Sequence, residues 1–320
     1  MKTVITYSVL LLLCAFPLKG YGQFVDWELL TDLPGWESRD SAGEMVFNGH
    51  VWIMGGWFDS FHAPPRDVWK SSDGIEWTQV RRLSPWIHSD FPMTVVFKNR
   101  MWIMGGWFNG RLPGHSAGRS VWSSTNGNHW KKNNAKARWS GRLAGAAVAF
   151  KGKVWVIGGT ENYYFGDKTS LKNDVWSSVD GTVWKRELER APWVPRAYHR
   201  VIVFDNKMWL MGGGNYLPEY EAHHDVWSSS DGVVWHLETA SAPWHPRIWF
   251  SSVVYRDRMW VLGGWSNHPA RNWADVWYSK DGRSWNSVSY THLRATRRTP
   301  ISDAGFCLKK KRGGGGGGGG

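Results

Sequence analysis

The sequence predicts an all-β fold: a β-propeller of five complete four-stranded blades, preceded by a lone strand that closes the ring. Three observations predict it. An apolar strand ending in paired glycines, x-Trp-h-h-Gly-Gly with h apolar, occurs five times. Its tryptophans, Trp52, Trp102, Trp155, Trp209 and Trp260, are spaced by 50, 53, 54 and 51 residues. A second element follows each copy: DVWKSSDGIEW (67–77), SVWSSTNGNHW (120–130), DVWSSVDGTVW (174–184), DVWSSSDGVVW (225–235) and DVWYSKDGRSW (275–285), its two tryptophans always eight apart. Thirdly, no window sustains a helical apolar period, so helices are not expected.

In chain order, residues 1–22 read as a secretory signal peptide. Lys2 supplies its positive end, Val9 to Phe16 its short apolar stretch, and Gly20 and Gly22 the small residues ahead of Gln23. The expected location is therefore secreted or periplasmic. No other apolar stretch approaches membrane length, so no membrane span is expected. Residues 24–30, FVDWELL, look like a lone fourth strand. Trp27 lies 25 residues before Trp52, and the DGxxW tryptophan of every copy lies 25 before the next x-Trp-h-h-Gly-Gly tryptophan. Such a strand would complete the last blade and hide an edge.

Five blades follow, at roughly 39–80, 90–133, 142–187, 196–239 and 247–287. In each, two apolar strands meet at a tight turn such as Lys-Gly or Asp-Asn. The DVWSSxDGxxW segment is a second hairpin whose Asp-Gly supplies the positive φ of the turn. A linker tryptophan comes nine residues after the DGxxW tryptophan, at Trp36, Trp86, Trp139, Trp193 and Trp244, and most are followed three residues later by Arg39, Arg142, Arg196 or Arg247.

The repeat stops after Trp285. Position 294 is Arg where a linker tryptophan is expected, and KKKRGGGGGGGG (309–320) stands where an apolar strand and a glycine pair should be. The segments VSYTHLRA (288–295) and ISDAGFCLKK (301–310) resemble translated sequencing-adapter read-through. Residues 288–320 are therefore expected to be a non-native, disordered tail, and the propeller of 23–287 to be truncated from six or seven blades.

Charge and cysteine content narrow the function. The formal charge of +12 falls to 30 basic against 26 acidic residues between 23 and 287, which gives no case for nucleic acid. Both cysteines, Cys14 and Cys307, lie outside that span, so no disulfide framework is expected there. No phosphate loop, GxSxG elbow or HExxH is present, and His223-His224 alone cannot build a metal site. No cofactor or metal is expected.

The paired glycines, the aromatic of the third strand and the tryptophan of the fourth resemble kelch repeats, the blades of galactose-oxidase-like propellers. The resemblance covers 24–287 and implies the fold. It leaves function open, because such propellers include enzymes, lectin-like modules and interaction platforms. Galactose-oxidase chemistry needs a copper site with a Tyr–Cys cross-link, and 23–287 contains no Cys. The DGxxW element departs from the sialidase Asp-box, in which Asp and Gly are separated by one residue. Some similar kelch propellers handle sialic acids, which implies an alternative as a sugar mutarotase or epimerase using channel residues such as His199 or Glu44. A purely structural extracellular role is the third reading.

Residues that recur at fixed spacing are read as packing. These are Trp52, Trp102, Trp155, Trp209 and Trp260; Trp69, Trp122, Trp176, Trp227 and Trp277; and Gly56, Gly106, Gly159, Gly213 and Gly264. The repeated arginines are read in the same way. Function is expected where the frame varies, in the loops 57–66, 107–119, 160–173, 214–224 and 265–274. Alternation places these on one face with the linkers. That face gathers Trp57, Trp107, Arg111, Tyr163, Tyr164, Tyr216, Trp265 and Trp273, the expected ligand-binding residues for a carbohydrate or protein partner.

Overall fold

Short β-rich runs punctuated by Gly, Asn and Asp turns fold into five antiparallel four-stranded sheets, each in simple sequential order. The structure is a computed structural model that describes residues 29–58, 62–164 and 167–288, and the backbone of 3–5, 11–13 and 27–28. Blade 1 consists of Gly43–Phe47, His50–Met54, Val68–Ser71 and Thr78–Arg81. Blade 3 shows the longest ribbons: Ala146–Phe150, Lys153–Thr160, Leu171–Ser178 and Lys185–Leu188. Blades 2, 4 and 5 run over 93–134, 200–239 and 251–287. Among the described residues there is no α-helix, only a 3-10 turn at Lys168–Ser170.

The first strands of successive blades lie side by side around the centre, from blade 1 to blade 5. Each blade's core is closed by the next. The second-strand tryptophan is buried, and its indole donates to the carbonyl five residues back, as from Trp102 to Phe97 at 2.8 Å. The Asp-Gly turn of the following blade lies on its ring: Gly181 on Trp102, Gly232 on Trp155 and Gly282 on Trp209. The linker tryptophan meets the DGxxW tryptophan edge to face, at 5.9 Å for Trp139–Trp184 and 4.3 Å for Trp244–Trp285.

The repeated arginine has a structural role. Arg196 is buried and binds Asp225 through both Nη atoms, at 2.5 and 2.8 Å, while Nη1 also donates to the Gly212 carbonyl at 3.0 Å. Asp225 accepts from the Trp227 indole as well, which explains why Asp precedes Val-Trp in this element. Arg39–Asp67, Arg142–Asp174 and Arg247–Asp275 repeat the arrangement. In blade 2 both partners are absent together: Ser89 stands at the arginine position and Ser120 at the aspartate position. A lone member of such a pair would be a buried uncompensated charge, so the two change jointly.

The lone strand Trp27–Glu28 lies outside the five four-stranded sheets. Trp27–Glu28 pairs with Leu11–Leu13, which in turn pairs with Thr3–Ile5. Each of the five blades has its own fourth strand, that of blade 5 being Asn286–Ser287, as expected of five complete blades. The remainder of the expected signal segment and, of the expected tail 288–320, residues 289–320 lie outside the described residues, whereas Val288 is buried and its N–H donates to the Val276 carbonyl of blade 5 at 2.9 Å.

Candidate functional site

The linkers and the loops after the paired glycines meet at one end of the ring. Asp40, Asp90, Leu143, Ala197 and Ile248 of the linkers form bridges with Trp57, Trp107, Thr160, Gly214 and Trp265, the first residues after each glycine pair. The next linker residue has left-handed backbone in every blade: Ser41, Phe91, Ala144, Tyr198 and Trp249, with φ between 48° and 59°. Bulky residues rarely adopt that conformation, and it persists only where surrounding contacts impose it. Here Phe91 N–H donates to the Ser41 carbonyl, Ala144 to Phe91 and Tyr198 to Ala144, each at 2.8–3.1 Å, a rung joining blade to blade. The strained turns set Phe91, Tyr198 and Trp249 beside the loop aromatics.

Five of the expected residues, Trp107, Tyr163, Tyr164, Tyr216 and Trp265, join Phe91, Tyr198, Tyr220 and Trp249 in one apolar cluster. Tyr216 meets Trp249 at 4.8 Å, and Trp249 stacks on Trp265 at 5.2 Å. Arg111 sits over the Tyr164 ring at 4.7 Å, a cation–π contact. Within the cluster, Trp107 is 1% exposed: its indole donates to the Gly110 carbonyl and its ring stacks on His115. Tyr163 is also buried. These two shape the site, whereas Tyr164, Tyr216, Tyr220, Trp249 and Trp265 keep part of their surface open.

Trp57 and Trp273 are not part of this cluster. Trp57 is held by its backbone bridge to Asp40. Trp273 stacks on His245 at 4.7 Å, with Arg271 at 4.6 Å and Arg247 at 5.3 Å from its ring. Phe91, Tyr198 and Trp249 carry a sequence signal that the loop-based expectation passed over. Each lies five residues beyond a linker tryptophan, a position of changing residue type inside an unchanging frame.

Beside Phe91 lies an acid pair. Ser41 Oγ is 2.8 Å from Asp40 Oδ1 and 2.5 Å from Asp90 Oδ1. Burial raises the Asp40 carboxyl to about 7, with the Ser41 hydroxyl acting in the opposite direction. Burial, and then the charge of Asp40, push Asp90 well above the usual carboxylate range. The Tyr163 and Tyr198 hydroxyls are raised by burial and, among smaller effects, by the Asp90 charge. Nearby, His88 reaches Ser116 Oγ at 3.1 Å, and burial lowers it to about 4.

Of the channel candidates, Glu44 lies 4.0 Å from Arg200 across blades 1 and 4. Burial raises its carboxyl while Arg200 lowers it. His199 does not face the channel. It is buried against Gly158 of blade 3, with Nε2 3.2 Å from the Ile157 carbonyl, and burial lowers it to about 3. Among the described residues no group of three or more His, Cys, Asp or Glu could hold a metal ion, and no helix is long and apolar enough to cross a membrane.

Comparison with known proteins supports the architecture. The fold is similar to that of 337 chains of known structure. One, titled "Structure of YjhT", matches with a TM-score of 0.66 at 14% identity, over 83% of this chain and 88% of that one. At that identity the likeness shows the fold alone. No family model and no curated protein matches the chain.

Proposed function

We propose that this chain is a kelch-repeat propeller that binds a carbohydrate on its aromatic loop face. The observation that carries the reading is the convergence of partly open aromatic rings from three blades, Tyr164 of blade 3, Tyr216 and Tyr220 of blade 4, and Trp249 and Trp265 of blade 5, in one cluster on the loop face. Partly open aromatic rings suit the apolar faces of sugar rings.

The test is tryptophan fluorescence titration against a panel of neutral, acidic and aminated glycans. Trp265→Ala or Tyr216→Ala is expected to weaken binding by about tenfold or more while leaving the thermal midpoint near that of the parent. Trp107→Ala, in contrast, empties a buried site and is expected to lower the midpoint itself. A flat response across the whole panel overturns the carbohydrate reading, and a protein partner is then the reading to pursue.

A further inference from the structure

We propose that the Asp40–Asp90 pair recognises an ammonium group, so that the ligand of the aromatic face is a glycan carrying free amines. The inference rests on the carbohydrate reading above and narrows it to one substrate class.

The fold does not require these acids. At the same repeat position blades 3, 4 and 5 carry Leu143, Ala197 and Ile248, all fully buried. Carboxyls in blades 1 and 2 alone are a departure from the repeat, and such departures mark function more often than packing. Asp90 is 1% exposed, and its Oδ2 is buried with no hydrogen-bond partner among the described residues. A buried acceptor left unpaired costs on the order of 1–3 kcal/mol, so the site lacks a donor.

Proton accounting makes the same demand. Ser41 has one hydroxyl proton but lies within hydrogen-bond distance of both carboxyls. One more proton, or a cation, is needed to satisfy the trio. Besides burial, Ser41 acts on both carboxyls and the charge of Asp40 acts on Asp90, whose charge in turn raises the Tyr163 and Tyr198 hydroxyls; no cation is among the groups that shift either carboxyl. Rings complete the surroundings: Phe91 meets Tyr198 at 5.3 Å and Tyr163 at 5.8 Å. Aromatic faces favour a cation, and they equally suit the sugar ring that would carry it. Asp40, the less buried acid, is the one a ligand meets first. An ammonium binding there displaces one of the protons that the raised carboxyls hold at pH 6 into solvent, leaving one carboxylate against the added positive charge.

The experiment compares glucosamine hexamer, its fully N-acetylated counterpart and cellohexaose by calorimetry at pH 6, in two buffers of different ionisation enthalpy. The parent protein is expected to bind the aminated hexamer about tenfold or more tighter than the other two, with proton release. Asp40→Asn and Asp90→Asn are expected to abolish the preference, with circular dichroism melts confirming that each variant folds. The parent measurement stands alone should a variant fail to fold. Equal binding of aminated and acetylated hexamers, or a preference that survives in a folded Asp40→Asn, overturns the proposal and leaves carbohydrate binding intact. No binding of any of the three, together with a flat glycan panel, removes both.

Discussion

At the residue scale, the buried arginine–aspartate pair shows how far one interaction ties a blade together. Arg196 joins the linker, the glycine pair and the third strand through Asp225, and Asp225 also holds Trp227. Arg196→Ala leaves a buried carboxylate and is expected to cost about 3–5 kcal/mol in denaturant unfolding. Blade 2 supplies the comparison. The double change Arg196→Ser with Asp225→Ser copies Ser89 and Ser120, and is expected to cost less than either single change. A double variant as unstable as the sum of the two would show that blade 2 compensates in some other way.

At the element scale, the second hairpin is a spacer between blades. Ser178 Oγ accepts from the backbone of Asp180 and Gly181, and Asp180 Oδ1 accepts from Thr182 and Val183, so the turn caps itself. Gly181 then rests against Trp102 of the preceding blade. Two glycines with the same φ of +71° separate conformation from contact: an added Cβ at Gly152 meets nothing within 4 Å, whereas at Gly181 it collides with the Trp102 ring. Gly152→Ala is expected to cost about 1–2 kcal/mol for the left-handed backbone. Gly181→Ala adds about 1–3 kcal/mol of overpacking. Equal costs in equilibrium unfolding would deny the turn its spacing role.

At the scale of the whole molecule, two groups of carboxyls oppose each other in pH dependence. Burial pushes Asp174, Asp225 and Asp275 up, but the arginine and indole donors outweigh it and hold them below their usual 3.8. Their stabilisation is present above that value and lost as pH falls through the lowered pKa. Asp40 has the opposite sign: raised from 3.8 to about 7, it favours the fold below pH 3.8 and loses that contribution as pH rises through about 7. Asp40→Asn is expected to flatten the decline in stability between pH 4 and 7 while leaving the acid limb unchanged. An unaltered slope in that window would mean that Asp40 ionises in the fold as it does in the unfolded chain.

Much of this organisation was legible because tryptophan spacing is set by strand length and turn type, which are local. The five blades, the shared face of linkers and loops, and the packing role of Arg142, Arg196 and Arg247 all follow from it. The openness of individual rings was not legible. Trp107 and Trp265 stand at the same repeat position, yet Trp107 is buried because the loop after it folds back to place Gly110 and His115 on its ring, and Trp265 stays partly open. The acid pair was equally hidden. Asp40 and Asp90 are 50 residues apart, and only the packing of blade 2 against blade 1 brings them to one hydroxyl.

The tryptophan ladder has a spectroscopic consequence. Three of its four repeated positions give the indole N–H a fixed acceptor: a strand carbonyl (Trp155 to Phe150), a side-chain oxygen at the start of the third strand (Trp176 to Asp174) and a turn carbonyl (Trp184 to Gly181). The linker position gives none: the indole nitrogens of Trp36, Trp86, Trp139, Trp193 and Trp244 are buried without an acceptor among the described residues. In a proton–nitrogen correlation spectrum the indole signals therefore divide by strand rather than by blade. Each repeat reports its own integrity through four resonances of distinct shielding, and a ligand at the loop face reads out separately through Trp249 and Trp265.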